Sequence, residues 1–147
     1  GGLNRFDRQA KRLLGLDLGE RRIGLSVSHG ASKLVIPTGH LNRVKLKQDI
    51  ERVVEMAEER EIEGFVVGLP YTLAGEVGIQ AKRAQGFIRA LRKRTSIPVY
   101  TVDETFTTFE AEGLMREAGQ QPSRNRGAVD SAAAVLILQR FLDESTR

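Results

Sequence analysis

The stretch Leu13-Leu14-Gly15-Leu16-Asp17-Leu18-Gly19 places a single aspartate inside a short apolar run. After a charged interruption the chain resumes at 23–28 with the period-two alternation of a half-buried strand, so the two segments predict an antiparallel hairpin. The leucines on either side of Asp17 point to the opposite face of such a strand, so its carboxylate projects alone. Because an apolar strand does not hydrate it, this carboxylate needs hydrogen bonds, a cation or a metal ion. An aspartate bonded to the following turn meets the same need, so the position alone leaves a structural and a functional role open.

Apolar strands and amphipathic helices alternate after the hairpin. Residues 45–61 repeat apolar side chains at helical spacing, and Gly64 ends this pattern before a continuous apolar strand at 65–69. The other predicted segments are a third strand at 34–41, a glycine-containing loop at 71–78, a second helix with Ala84, Phe87, Ile88 and Leu91 on its buried stripe, a strand at 97–102, a third helix opened by a capping box at 107–110, a polar, mobile segment at 119–126 and a last helix over about 128–142.

This order of elements predicts an α/β fold. The first three strands are expected to pair antiparallel, whereas the later alternation of strands and helices implies parallel pairing and right-handed crossovers. The expected product is a mixed five-stranded sheet of three antiparallel and then two parallel strands with helices on both faces. Residues 12–147 form one domain, and the basic residues 1–11 precede it as an arm that is expected to be flexible.

The composition narrows the possible chemistry. The 147 residues contain no cysteine and two histidines, which excludes thiolate metal sites, disulfides and cysteine nucleophiles. A bound metal would depend on carboxylate oxygens, and this favours Mg²⁺ or Mn²⁺. No apolar run approaches the roughly 20 residues that span a bilayer, and no signal-peptide pattern opens the chain. A cytoplasmic protein without a membrane partner is therefore expected.

The charges are unevenly distributed around a net charge of +4. The stretch 49–63 is acidic, whereas residues 82–94 carry six basic side chains and no acidic one. Such polarity suits a protein with one phosphate-facing side. A helix with a solvated basic face explains the same pattern equally well. The basic residues of this stretch are Lys82, Arg83, Arg89, Arg92, Lys93 and Arg94.

Two further carboxylates stand at positions where they could meet Asp17. Glu104 follows Asp103 where the last strand ends, and open sheets place ligands at the carboxyl ends of parallel strands. Asp130 opens the last helix and is followed by small residues that let the helix pack closely on the sheet. Each acid alone also fits a helix N-terminus, where it complements the dipole. Three carboxylates that converge would repel one another, and two bound divalent cations would remove this repulsion. The same two cations could catalyse the hydrolysis of a phosphodiester bond.

Several motifs, taken together, resemble the YqgF/RuvX family of the ribonuclease H-like superfamily. The resemblance covers nearly all of residues 13–143, and the motifs occur in order and at family-like spacing. The motifs are Gly15-Leu16-Asp17-Leu18-Gly19-Glu20-Arg21-Arg22-Ile23-Gly24, Val67-Gly68-Leu69-Pro70, Gly75-Glu76, Asp103-Glu104-Thr105 with Thr107-Thr108, and Val129-Asp130-Ser131-Ala132-Ala133.

The resemblance implies an RNase H-like fold and a metal-dependent phosphodiesterase, an endonuclease with two Mg²⁺ or Mn²⁺ ions. The acidic residues of the family's presumed active site match Asp17, Glu104 and Asp130 in this sequence. Members are associated with processing the 5′ end of precursor 16S ribosomal RNA, and are also described as Holliday junction resolvases. The leading hypothesis is therefore a nuclease for ribosomal RNA precursors, with a junction resolvase as the alternative.

Two residues depart from the family pattern. Thr105 stands where members commonly have arginine after the Asp-Glu pair, and His29 replaces an aspartate usual after the second strand. Both departures bear on substrate grip rather than on the carboxylates. The expected nucleic-acid contacts are Arg22, which could instead orient an acid or belong to the hairpin turn, and the phosphate-facing candidates Lys82, Arg83, Arg89, Arg124 and Arg126.

Two other classes of function are alternatives to a nuclease. Actin-like and sugar-kinase domains open with a similar hairpin around ATP, but they close two such domains on the nucleotide and this chain supplies one. A non-catalytic nucleic-acid-binding protein has no need of three acids beside phosphate. Only eight aromatic residues are present, and most fall on predicted buried stripes, so little base stacking is expected. We therefore expect cleavage that depends on the structure of the nucleic acid and not on its base sequence. A symmetric junction would need a homodimer with two sites.

Overall fold

The computed structural model describes residues 5–30, 34–70 and 78–144. Most of the predicted loop at 71–78, including the Gly75-Glu76 motif, lies outside them. The elements are α1 (Arg5–Ala10), β1 (Leu13–Leu18), β2 (Arg22–Ser28), β3 (Val35–Asn42), α2 (Leu46–Glu59), β4 (Gly64–Leu69), α3 (Ile79–Arg94), β5 (Val99–Asp103), α4 (Thr107–Glu117), a 3-10 turn (Pro122–Arg124) and α5 (Arg126–Asp143).

The five strands form one mixed sheet in the order β3-β2-β1-β4-β5. The first three strands pair antiparallel, and β1–β4 and β4–β5 pair parallel. The predicted architecture is thereby confirmed, including the hairpin that carries Asp17. Its register sets Asp17 opposite Gly24. The carboxyl ends of β1, β4 and β5 consequently lie along one edge of the sheet.

Strand alternation divides the core into two layers. Leu14 and Leu16 of β1 pack with Phe65 and Val67 of β4 against α2 and α3 on one face. Leu13 and Val66 pack with residues of α5 on the other face. Because side chains alternate along a strand, Asp17 shares the face of Leu13 and Gly15 and therefore points toward α5. The α4 helix covers the outer side of α5 through a smaller apolar cluster of Ala111, Met115, Val129 and Ala133.

The α5 helix lies unusually close to the β1–β2 hairpin because glycines face it. A β-carbon at Gly24 would lie 2.0 Å from the carbonyl oxygen of Asp130, and one at Gly15 would lie 2.7 Å from Leu138. Two buried hydroxyls add specific bonds: Ser26 Oγ donates to the carbonyl of Ala134 at 2.7 Å, and Ser131 Oγ donates to that of Leu25 at 2.8 Å. The helix is thus held in one register, with Asp130 beside the end of β1.

The residues before the sheet contain a helix that the sequence pattern did not predict. Within the basic arm at 1–11, α1 spans Arg5–Ala10. Its Arg8 is buried, donates to the carbonyl of Phe141 at 2.8 Å and lies over the ring of the same residue. The arginine thus contributes to docking on the C-terminal part of α5.

The predicted capping box at 107–110 is wrong. Thr107 is buried within the first turn of α4, and its hydroxyl donates to the carbonyl of Glu104 instead of accepting from the helix. Glu110 pairs with Arg140 at 3.0 Å. The N-cap position belongs to Phe106, which makes no side-chain capping bond. The spacing of Thr107 and Glu110 therefore predicted the helix α4 correctly but assigned its N-cap to the wrong residue.

The end of the chain also differs in detail from the prediction. The segment at 119–126 contains the short turn Pro122–Arg124, and α5 begins at Arg126. Asp130 consequently lies in the second turn of the helix and not in the first. Among the residues that the structure describes, no helix has the length and apolarity to cross a membrane.

We expect Gly24→Ala to destabilise the protein by about 1–3 kcal/mol or more, because the added methyl meets rigid backbone of α5. Gly113→Ala is the matched control, since a β-carbon there meets nothing within 4 Å. In the middle of α4 this alanine should be neutral or stabilising by up to about 1 kcal/mol. Urea unfolding of both variants measures the difference. Equal stabilities of the two variants would contradict the close packing of α5 on β2.

Candidate active site

The three predicted carboxylates lie in one cleft at the edge of the sheet. Asp17 comes from the end of β1, Glu104 follows β5, and Asp130 comes from α5. All three line a cavity of about 450 Å³, together with Gln80 and Arg126. Asp17 is 8% exposed. Three segments distant in sequence thus bring acidic side chains to a single partly buried place.

Glycine at the end of β4 makes room for Glu104. Gly68 pairs with Val102 of β5, and Glu104, two residues after Val102, falls on the same face toward α5. A β-carbon at Gly68 would lie 2.6 Å from Glu104 Oε2 and 2.6 Å from Ile137. Any larger residue at this position would displace the carboxyl from the cleft. The Oε2 atom is buried and has no hydrogen-bond partner in the protein.

The electrostatics of the cleft favour proton uptake by Glu104. Burial raises the pKa of Glu104, and the charge of Asp17 and its hydrogen bond raise it further. Burial also raises the pKa of Asp17, but here the hydrogen bond with Glu104 opposes the rise. Of the two acids, Glu104 is therefore the one that binds a proton more readily. Two neighbouring buried acids whose pKa values are raised form a site that a cation would stabilise.

Arg22 holds the third carboxylate. Its Nε donates to Asp130 Oδ2 at 2.5 Å, with the two side chains 28% and 16% exposed. The bond crosses from the start of β2 to α5. Of the roles left open by the sequence, the geometry places Arg22 on an acid of the cleft.

The donor set suits a hard divalent cation, although no group of three or more acids or histidines within 5–30, 34–70 and 78–144 is arranged closely enough to hold one as it stands. The available ligands are carboxylate oxygens, which Mg²⁺ and Mn²⁺ prefer. Glu104 Oε2 is buried and unpartnered, whereas Asp130 is engaged by Arg22. Asp17 and Glu104 therefore offer oxygens that a divalent cation could bind, and Asp130 keeps one oxygen that it does not give to Arg22.

The predicted phosphate-binding residues are only partly brought to the cleft. Arg126 lines it and forms an ion pair with Glu112 at 2.9 Å. Arg83 lines an adjoining cavity of about 300 Å³, where it pairs with Glu20 at 3.0 Å. The other three candidates are exposed and line neither cavity: Lys82, Arg89 and Arg124.

The two departures from the family pattern occupy different places. Thr105 lines the cleft, but its backbone N–H and hydroxyl both donate to Asp103 Oδ1, at 2.9 and 2.5 Å. His29 is exposed and follows the far end of β2, where Ser28 pairs with Leu13. Since Asp17 lies at the other end of the hairpin, His29 is remote from the carboxylates.

Some residues of the site escaped the sequence reasoning. Arg140 donates to the carbonyl of Asp103 at 2.9 Å, and its charge opposes the rise in the pKa of Glu104. Nothing in the sequence separates it from other helical arginines. Phe106 is 59% exposed and lines the cleft, so it is one of the aromatic residues that do not lie on a buried stripe. Its position directly after the Asp-Glu-Thr motif was the available signal.

Comparison with solved structures indicates a RuvC-like fold. T. thermophilus RuvC, in a structure described as a complex with Holliday junction substrate, aligns with a TM-score of 0.56 and 15% identity, covering 90% of this chain and 93% of that one. The yeast mitochondrial Holliday junction resolvase Ydc2 aligns with a TM-score of 0.52 and 13% identity, covering 90% and 78%. At such identities the likeness establishes the fold alone.

Sequence comparison is more specific. A relative from Synechococcus sp. (strain ATCC 27144 / PCC 6301 / SAUG 1402/1), named "Putative pre-16S rRNA nuclease", is 42% identical over 134 residues, covering 89% of this chain and 88% of the relative. A relative of the same name from Acaryochloris marina (strain MBIC 11017) is 40% identical over 131 residues, covering 89% and 91%. The family model RuvX, described as Holliday junction resolvase, matches residues 11–144.

The RNase H-like sheet with acids at its edge and the named relatives define a nuclease, an enzyme that hydrolyses phosphodiester bonds. Within this class the chain belongs to the RuvX family.

In the presence of a chelator, we expect the free energy of unfolding to fall as the pH rises from about 5 to about 9. The pKa of Glu104 is higher in the folded protein than its ordinary value, so the folded state binds the proton more tightly. This stabilisation is full below the ordinary pKa and is lost as the pH passes through the raised one. Glu104→Gln should flatten the profile, and the exposed control Glu117→Gln should keep it. Urea unfolding across the pH range measures this, and a profile that rises with pH in the wild type would contradict it.

Proposed function

We propose that the protein is a divalent-metal-dependent endonuclease for structured nucleic acid, with Asp17, Glu104 and Asp130 as both metal-binding and catalytic residues. The observation that carries the proposal is the buried, unpartnered Oε2 of Glu104 beside Asp17, in a cleft that also contains Asp130. A protein gains nothing in stability from crowding acids whose pKa values rise as a result. A bound cation would supply the missing charge.

The residues of the cleft would have different roles in metal binding and in phosphate binding. Asp17 and Glu104 offer oxygens from two strand ends, and Asp130 offers a third from α5. Two bound Mg²⁺ or Mn²⁺ ions would supply water activation, hold the scissile phosphate and stabilise the leaving oxygen. Glu104 must release its proton for this, so metal affinity should increase with pH. Arg126, on the wall of the same cleft, can contact a phosphate when it leaves Glu112.

The 5′ region of precursor 16S ribosomal RNA is the substrate that we infer first, which would give the protein a role in ribosome biogenesis in the cytoplasm. The support is the name shared by relatives that match most of this chain at 35–42% identity. The alternative is a four-way DNA junction, which the description of the family supports. Cutting a symmetric junction would require a homodimer with two clefts, because two equivalent strands must be cut.

The test is cleavage of both substrates by the wild type and by three variants, Asp17→Asn, Glu104→Gln and Asp130→Asn. One substrate is a precursor RNA fragment carrying the 5′ extension, and the other is a four-way DNA junction, each in Mg²⁺, in Mn²⁺ and in chelator. We expect each variant to lose at least about a hundredfold in rate, since a metal ligand is removed. Gel analysis of end-labelled substrates measures the rates, and the substrate that is cut faster identifies the function.

Glu117→Gln is the matched control, because Glu117 is an exposed carboxylate on α4 that does not line the cleft. It should cut at the wild-type rate. Undiminished cleavage by Asp17→Asn, or in chelator, would show that the activity does not come from this site. Circular dichroism of each variant separates a loss of folding from a loss of chemistry.

A further inference from the structure

An aromatic side chain stands exposed in the wall of the acidic cleft. Phe106 is 59% exposed and lines the cavity that contains Asp17, Glu104 and Asp130. A single exposed apolar residue on a surface needs no explanation. An exposed phenyl ring in a cleft otherwise lined mainly by acidic and other polar groups calls for one, because neither metal binding nor proton transfer uses it.

The backbone of Phe106 is strained. Its φ is 65°, in the left-handed region that a bulky residue rarely occupies. The one other described non-glycine residue with positive φ is Glu61, which follows α2 where the next residue, Ile62, donates to Ala57 at 2.8 Å in a common helix-ending motif. Phe106 precedes a helix, where no such motif requires this conformation. Strain of this kind, about 1–3 kcal/mol, persists where surrounding bonds impose it and is common at functional sites.

The bonds that impose the conformation come from its neighbours. The backbone N–H and hydroxyl of Thr107 both donate to the carbonyl of Glu104 at 3.0 Å, and Thr107 is 1% exposed. The carbonyl of Phe106 accepts from Glu110 at 2.9 Å. The chain is thus tied down on both sides of Phe106, and its ring is left in solvent two residues from the catalytic Glu104.

We propose that Phe106 is a base-stacking residue that receives an unpaired nucleobase next to the scissile phosphate. The proposal rests on the nuclease function and adds to it the class of nucleotide at the cutting point. Every base has a face that can stack on an aromatic ring, but a base in a regular duplex already stacks on its neighbours. The enzyme therefore favours single-stranded extensions, bulges and branch points over continuous duplex.

Binding is measured in the Asp17→Asn background, so that no cleavage occurs. The probes are an RNA hairpin with a single-stranded 5′ extension and a four-way DNA junction, each carrying 2-aminopurine at an unpaired or branch-point position. Stacking on the ring should change the 2-aminopurine fluorescence. Adding Phe106→Ala should remove this change and weaken binding by about fivefold to a hundredfold. The probe whose signal depends on Phe106 identifies the strand that enters the cleft.

Phe109→Ala is the matched control, since Phe109 is 71% exposed one turn further along α4 and does not line the cleft. It should bind within about twofold of the parent. Equal binding by the two alanine variants, or a fluorescence change that persists without Phe106, would overturn the stacking role. The nuclease assignment would survive that result, because it depends on the carboxylate variants alone.

A second experiment compares the melting temperature of a variant with its affinity for the same probes. Phe106→Gly removes the ring and relieves the left-handed strain, so its melting temperature should equal or exceed that of the parent while its affinity falls. Higher stability with weaker binding supports a ring kept for substrate. A fall in both would assign Phe106 to the packing of the loop and overturn the proposal.

Discussion

The close contact of α5 with β2 is the constraint on which the rest of the structure depends. The helix backbone at Asp130 approaches Gly24 too closely for any side chain to fit between them. Because Gly24 pairs with Asp17 across the hairpin, the contact that packs the helix also brings two acids of the site together. Packing and function are therefore set by the same few atoms. The hydroxyls of Ser26 and Ser131 fix the register of the helix at this distance.

This arrangement carries an electrostatic cost that the protein manages in two ways. Arg22 neutralises Asp130, the carboxylate that the helix brings in. Asp17 and Glu104 instead lie in the same cleft, where burial and the charge of Asp17 raise the pKa of Glu104, so that Glu104 binds a proton more readily. Such a pair could exchange a bound proton for a cation, whereas a second arginine at this place would compete with that cation. The fold thus keeps two acids available and holds the third in place.

The strand order, the pairing directions and the three carboxylates could be predicted from the sequence because alternation and helical spacing are local properties. The projection of Asp17 to the face opposite its neighbouring leucines followed from the same alternation. Contacts across the fold could not be predicted in this way. The pairing of Arg22 with Asp130 joins residues 108 positions apart, and the left-handed Phe106 displaced the expected capping box. The positive charge of the stretch 82–94 also did not predict which of its residues face the site, since Lys82 and Arg89 line neither cavity.

The carboxylates themselves cannot select the substrate of a nuclease, because every nucleic acid contains phosphodiester bonds. Selection must come from the rim of the cleft. Arg126 of the cleft pairs with Glu112, and Arg83 of the adjoining cavity pairs with Glu20. A phosphate has to compete with these glutamates, so its contact with either arginine adds little to binding. If the phosphate contacts are weak, the enzyme must distinguish its substrate from a regular duplex by features that the duplex lacks. An unpaired base beside the phosphate is such a feature, and Phe106 is the rim side chain whose chemistry can recognise it.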